Sequence, residues 1–271
     1  MIELEIGVST ASFFAKSYPE DALTAIRAMG AQQCEVFLNT FSEYDENYIS
    51  LLSGRAKELE LNVYSVHPMG TQFEPQLFSP YSRQRDDAWA LYERVLAAAK
   101  RLNAGVYVMH GPVYMKNSMK NLELTRIGPI IRDLSALAKS YRVRLAWENV
   151  SWCLFSTPEF APRVLDAAKT DDLWFTLDIK QAVRSGFDPS LYFTAVGPKL
   201  ANVHLCGYHV EADGGLSLCL PSDGQEDILK IKQACKNAGY TGPAFIEVYS
   251  DLYAEPAELE RSFRRVCALT R

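Results

Sequence analysis

A chain of 271 residues, 48% of them hydrophobic, can bury a sizeable core and suits one closed α/β barrel. Its net charge of −5 argues against binding nucleic acid through a broad basic face, so a nucleic-acid partner is disfavoured. No apolar run approaches the roughly 20 residues that span a bilayer, and the N-terminal MIELEIGVS carries acids where a signal peptide would carry lysines, so a cytoplasmic protein without a membrane role is expected.

Residues 4–9 read as a first strand. Pro19-Glu20-Asp21 then opens a helix, because proline fits the first turn and acids meet the positive end of the helix dipole. Leu23, Ile26 and Met29 share its apolar face, and Gly30 ends it. The same unit recurs: strand 34–38 with helix 46–59, then strand 62–67, a long loop over 68–80 and helix 83–102. Strand 105–110 precedes a helical stretch at 119–140, which Gly128-Pro129 should kink or split. Arg142 to Ala146 reads as a fifth strand running into Trp147-Glu148-Asn149, and Thr157-Pro158-Glu159 caps the next helix. Strand 173–178, a short helix from Asp188-Pro189, strand 200–205, a loop through Gly224, a helix from Glu226 to Ala238, strand 244–248 and a last helix from Pro256 complete the chain.

Eight strands alternating with helices imply parallel strands and right-handed crossovers. An open doubly wound sheet usually carries a glycine-rich phosphate turn after its first strand, whereas STASFFAKS stands there. A single (β/α)8 barrel domain over residues 1–271 is therefore expected. Six cysteines without a C-x-x-C pair are expected to be reduced thiols.

Strand ends carry Glu35, His67, His110, Glu148, Asp178, His204 and Glu247, spaced 26 to 43 residues apart, about one strand–helix unit each. In a barrel such tips converge on the face where barrel enzymes place their chemistry. Carboxylates brought together without a cation repel one another and raise each other's pKa. Glu148, Asp178, His204 and Glu247 offer three carboxylates and one imidazole. That oxygen-rich set suits one divalent ion, Mn²⁺ first, with Mg²⁺, Co²⁺, Zn²⁺ or Fe²⁺ as alternatives. Residues 68–80, or the seventh loop with its Gly214-Gly215, are expected to close over a ligand.

The motifs SVHP (65–68), VMHGP (109–113), WENV (147–150), TLDIKQA (176–182), NVHL (202–205) and FIEV (245–248) resemble the xylose isomerase-like barrel superfamily, in its sugar phosphate isomerase/epimerase branch. The resemblance covers essentially the whole chain. It implies that Glu148, Asp178, His204 and Glu247 hold the ion and that Glu148 and Glu247 also move protons. The reaction would be isomerisation or epimerisation of a sugar or sugar phosphate through an enediolate. His67, His110, Lys180, Gln181, Asn149 and Trp152 would contact the sugar or polyol, and a homo-oligomer stays open. Two positions depart from the epimerase pattern. Gln181 stands where many epimerases have a histidine, and residues 206–219 contain no arginine or lysine. Lys180 is the nearby cation able to serve as a substrate or phosphate contact. The alternatives are an inosose dehydratase-like lyase, a zinc hydrolase of abasic DNA like endonuclease IV, and a sugar-binding barrel without turnover. For the DNA hydrolase, the remaining ligands of a three-zinc site are missing from the sequence.

Overall fold

Pro19 and Gly30 bound the first helix as expected: α1 runs Pro19–Met29, and Gly30 closes it with φ 98° and its amide on the Arg27 carbonyl. This helix follows strand β1 (Ile6–Ser9) and leads to β2 (Gln33–Leu38). Next come α2 (Glu46–Glu58), β3 (Asn62–Pro68), α3 (Ser82–Arg101), β4 (Val106–Met109) and α4 (Leu124–Ser140). The second half holds β5 (Arg144–Glu148), α5 (Phe160–Ala168), β6 (Leu173–Asp178), α6 (Ile179–Arg184), α7 (Pro189–Val196) and β7 (Leu200–Leu205). A hairpin of β8 (Gly207–Val210) and β9 (Leu216–Cys219) precedes α8 (Ile228–Asn237), β10 (Ala244–Ile246) and α9 (Pro256–Thr270). This computed structural model describes residues 3–113, 124–225 and 227–271.

The strands close into one parallel barrel in the order β1-β10-β7-β6-β5-β4-β3-β2, a (β/α)8 barrel. Leu23 and Ile26 of α1, Ile49 and Leu52 of α2, and Val36 and Leu38 of β2 lie in one fully buried cluster. Each such side chain contributes roughly 2 kcal/mol through burial, so the layer between barrel and helices holds the fold closed. Among the described residues no helix is long and apolar enough to cross a membrane, and all six cysteines are unpaired thiols.

Several boundaries differ from the sequence reading. Arg142 is not in the fifth strand. It takes a left-handed φ of 65°, and the Val143 amide bonds back to the Ala138 carbonyl, so Arg142 lies in the turn after α4 and β5 starts at Arg144. Pro129 does not split α4. Gly128 beside it allows a close approach to α5, since a Cβ there would meet the Ala167 carbonyl oxygen at 2.2 Å. The expected helical residues 119–123, and Glu226 as the start of α8, lie outside the described residues. Asp227 caps α8 through the Leu229 and Lys230 amides. Helix α5 begins at Phe160 rather than on Thr157-Pro158-Glu159. The loop over 68–80 contains two short 3-10 turns, and Phe73, Glu74, Leu77 and Phe78 within it are buried.

Candidate functional site

Strands β5, β6, β7 and β10 are successive neighbours in the barrel, so their C-terminal ends form one arc. Register pairs Asp178 with His204, and the Glu247 amide donates to the Leu205 carbonyl at 3.0 Å. Glu148 ends β5. All four side chains are buried, and one donor atom of each lies within 4.8 Å of the others. Nδ1 of His204 stands 3.1 Å from Glu148 Oε1, 3.1 Å from Glu247 Oε2 and 4.0 Å from Asp178 Oδ2.

Supporting residues fix this arrangement from below and beside it. Glu35 is not at a strand tip: it lies within β2, fully buried inside the barrel. Its carboxylate accepts from Ser9 Oγ at 3.0 Å, Ser65 Oγ at 2.7 Å and Asn202 Nδ2 at 2.9 Å, and sits 3.1 Å from His204 Nε2. The inward-facing pair Asn202 and His204, two residues apart on β7, is a strand-period signal that sequence reasoning left unused. Asn149 commits its side chain to the backbone of Asp178. Its amide nitrogen donates to the Asp178 carbonyl at 3.0 Å and its oxygen accepts the Asp178 amide at 2.7 Å, so it aligns β6. Asp178 Oδ1 caps α6 by accepting the Gln181 amide at 3.0 Å. That capping aspartate was the signal for a helix the sequence reading missed.

Above the quartet lies a cavity of about 330 Å³, lined by His67, His110, Glu148, Lys180, Gln181 and Glu247 with apolar walls from Phe37, Met69 and Val150. Trp152, half exposed at the rim, meets His110 edge-on at 5.8 Å between ring centres. His67 and His110 approach through their Nε2 atoms at 2.8 Å, and His110 Nε2 lies 2.9 Å from Glu148 Oε2. These two histidines and Glu148 form a second convergent trio that shares Glu148 with the quartet. Gln181 Oε1 accepts from the amide and hydroxyl of Ser151. Glu74, which the sequence reading passed over, is fully buried and accepts from the His110 amide at 2.8 Å, the Gly111 amide at 2.9 Å and the Tyr107 hydroxyl at 3.0 Å. It clamps the end of β4 beneath His110.

Charge is balanced within the cluster. Burial alone would push Glu148 up, but His110 and His204 hold it well below the ordinary carboxylate range. Burial is likewise overcome at Glu247 by His204 and Lys180, which keep it ionised. Burial, reinforced by Glu148 and Glu247 and only partly offset by Lys180, pushes Asp178 up to about 6. Desolvation would lower His67, but hydrogen bonding to Glu247 and Glu35 and the field of Glu148 raise it to about 10. Lys180 is buried and donates to Asp178 Oδ2 and, at 2.8 Å, to Glu247 Oε2.

The donor set fits a divalent cation. Three carboxylates and one imidazole converge within 4.8 Å, and hard oxygen donors with a single nitrogen are the set that divalent ions such as Mn²⁺ take. The Glu35 carboxylate on His204 Nε2 is the outer partner that commonly orients a metal-bound imidazole.

The comparisons agree with this architecture. The structure is similar to that of a D-psicose 3-epimerase from Clostridium cellulolyticum H10 solved with D-tagatose, with a TM-score of 0.80 at 15% identity over 99% of this chain and 98% of that one. It is similar to an L-ribulose 3-epimerase, with a TM-score of 0.81 at 18% identity over 98% and 94% of the two chains. It is also similar to an IOLI protein solved with a zinc atom, with a TM-score of 0.80 at 14% identity over 97% and 96%. No curated protein matches the sequence. The family model for the xylose isomerase-like TIM barrel matches residues 23–269, and the chain belongs to that family.

Proposed function

We propose that the protein is a divalent-metal-dependent carbohydrate isomerase or epimerase that moves a proton on a carbon next to a carbonyl. The observation that carries this reading is the convergence of Glu148, Asp178, His204 and Glu247, two of which, Glu148 and Glu247, line a cavity sized for a small ligand. Similarity in fold to ketose 3-epimerases is consistent with it. When bound by these four residues, a divalent ion would polarise the substrate carbonyl and so acidify the adjacent C–H.

Glu148 and Glu247 stand at the two ends of the four-strand arc, with Asp178 and His204 between them. Both carboxylates are held ionised, as a general base must be. A sugar lying between them can lose a proton to one carboxylate, and the other, once it has taken up a proton from solvent, can return one to the opposite face, which inverts the carbon. His67 and His110 would hydrogen-bond substrate hydroxyls, and Lys180 and Gln181 would contact polar groups further along the chain. Phe37 and Trp152 would wall off water. Manganese is our first choice of ion, because oxygen ligands dominate the set.

The experiment is incubation of the Mn²⁺-loaded protein with ketohexoses and ketopentoses in deuterium oxide. Solvent deuterium in the carbon-bound positions of an isomeric product supports the reading. Loss of water from the product would assign a lyase instead. No exchange with any ketose, free or phosphorylated, would remove the isomerase reading.

A further inference from the structure

Lys180 has a position that the proposed reaction does not explain. The residue is 4% exposed, and its ammonium sits on two of the three carboxylate oxygens that face the imidazole of His204. Asp178 Oδ1 is committed to the Gln181 amide, so Oδ2 is the oxygen that remains, and Lys180 holds it. Glu247 Oε2, 3.1 Å from His204 Nδ1, is likewise the oxygen that Lys180 holds at 2.8 Å, whereas Oε1 points toward His67 Nδ1 at 3.4 Å. Thus the lone pairs a cation would take from Asp178 and Glu247 are occupied by a cation that the chain itself supplies.

We propose that Lys180 is a built-in competitor of the divalent ion: it satisfies Asp178 and Glu247 while the ion is absent and must release them for all four residues to hold one. The inference rests on the metal-dependent reading above. Two physical effects have the same sign. Ammonium hydrogen bonds to those oxygens are lost when the ion takes their place. A unit positive charge a few ångströms from a divalent ion also repels it, and removing that charge strengthens ion binding even under strong screening. In return, the free site avoids an uncompensated cluster of buried carboxylates. The cavity wall, to which Lys180 already belongs, gives the displaced ammonium a place to go.

The test is calorimetric titration of chelator-treated protein with Mn²⁺, for the unmodified chain and for Lys180→Met and Lys180→Gln. Both variants should bind the ion more tightly, by about tenfold or more, and each should melt at a lower temperature than the unmodified chain when chelated but gain more on adding Mn²⁺. Should neither variant fold, a structure of the Mn²⁺-loaded unmodified protein decides. Lys180 Nζ is expected out of hydrogen-bonding distance of Asp178 Oδ2 and Glu247 Oε2. Equal or weaker binding by the variants, or an ammonium still on both oxygens beside the bound ion, overturns the competition and leaves the metal-dependent reading standing. Absence of Mn²⁺ binding by the unmodified chain and both variants overturns both.

Discussion

Nε2 of His204 lies 3.1 Å from Oε2 of Glu35, one layer down inside the barrel, while Nδ1 of the same ring faces Glu148 and Glu247 at 3.1 Å each. The Glu35 carboxylate can therefore fix which nitrogen carries the proton and leave Nδ1 for a cation. Glu35→Gln should lower Mn²⁺ affinity by about tenfold or more, with the fold unchanged by circular dichroism. Unaltered affinity in calorimetry would show that Glu35 serves packing alone.

Glu148→Gln and Glu247→Gln each keep shape and remove a base. Each should reduce solvent-deuterium exchange into a ketose substrate by roughly 10²–10⁴-fold, measured by mass spectrometry with saturating Mn²⁺. If one variant still exchanges but gives no epimer, the two carboxylates serve opposite faces of the carbon. Full activity in either would exclude that residue from proton transfer.

Gly70 is held by space rather than by backbone conformation. An added Cβ would stand 2.3 Å from the Glu74 carboxyl group, which clamps the His110 and Gly111 amides. Gly70→Ala should destabilise the protein by about 1–3 kcal/mol, read as a lower midpoint in thermal denaturation. An unchanged midpoint would mean that the 68–80 segment relaxes freely, against its buried Phe73 and Phe78.

The chelated protein should lose stability in alkali. His67 has an ordinary pKa near 6.5 and is raised to about 10 in the fold. A group raised in this way stabilises fully below about 6.5, and its contribution disappears as pH rises through about 10. Glu148 and Glu247 act in the opposite sense: being lowered, they stabilise above the ordinary carboxylate range, and that contribution falls away in acid. Melting temperatures in chelator should therefore be highest near neutrality and decline toward pH 10. A flat alkaline profile would count against a charged His67.

The barrel was legible in the sequence because strand and helix periods alternate around a continuous apolar pattern, and because Pro19, Gly30 and Pro256 mark helix ends through backbone chemistry alone. The four convergent tips were legible for a related reason, since a carboxylate or imidazole closing a buried run needs compensation nearby. Other features depend on tertiary placement. Glu35 reads as a tip only until β2 is seen to continue to Leu38. Asn149 follows the candidate ligand Glu148, yet it spends its amide on the Asp178 backbone. Glu74 lies in a loop, and its role appears only when the 3-10 turns carry it under β4. The two-carboxylate grip of Lys180 joins residues 67 positions apart in the chain, which no local pattern encodes.

Four side chains holding one cation at the barrel mouth should be visible in anomalous diffraction from crystals grown with Mn²⁺. A single strong peak is expected, ligated by Glu148, Asp178, His204 and Glu247. A peak elsewhere, or none at the quartet with Mn²⁺ in excess, would contradict it.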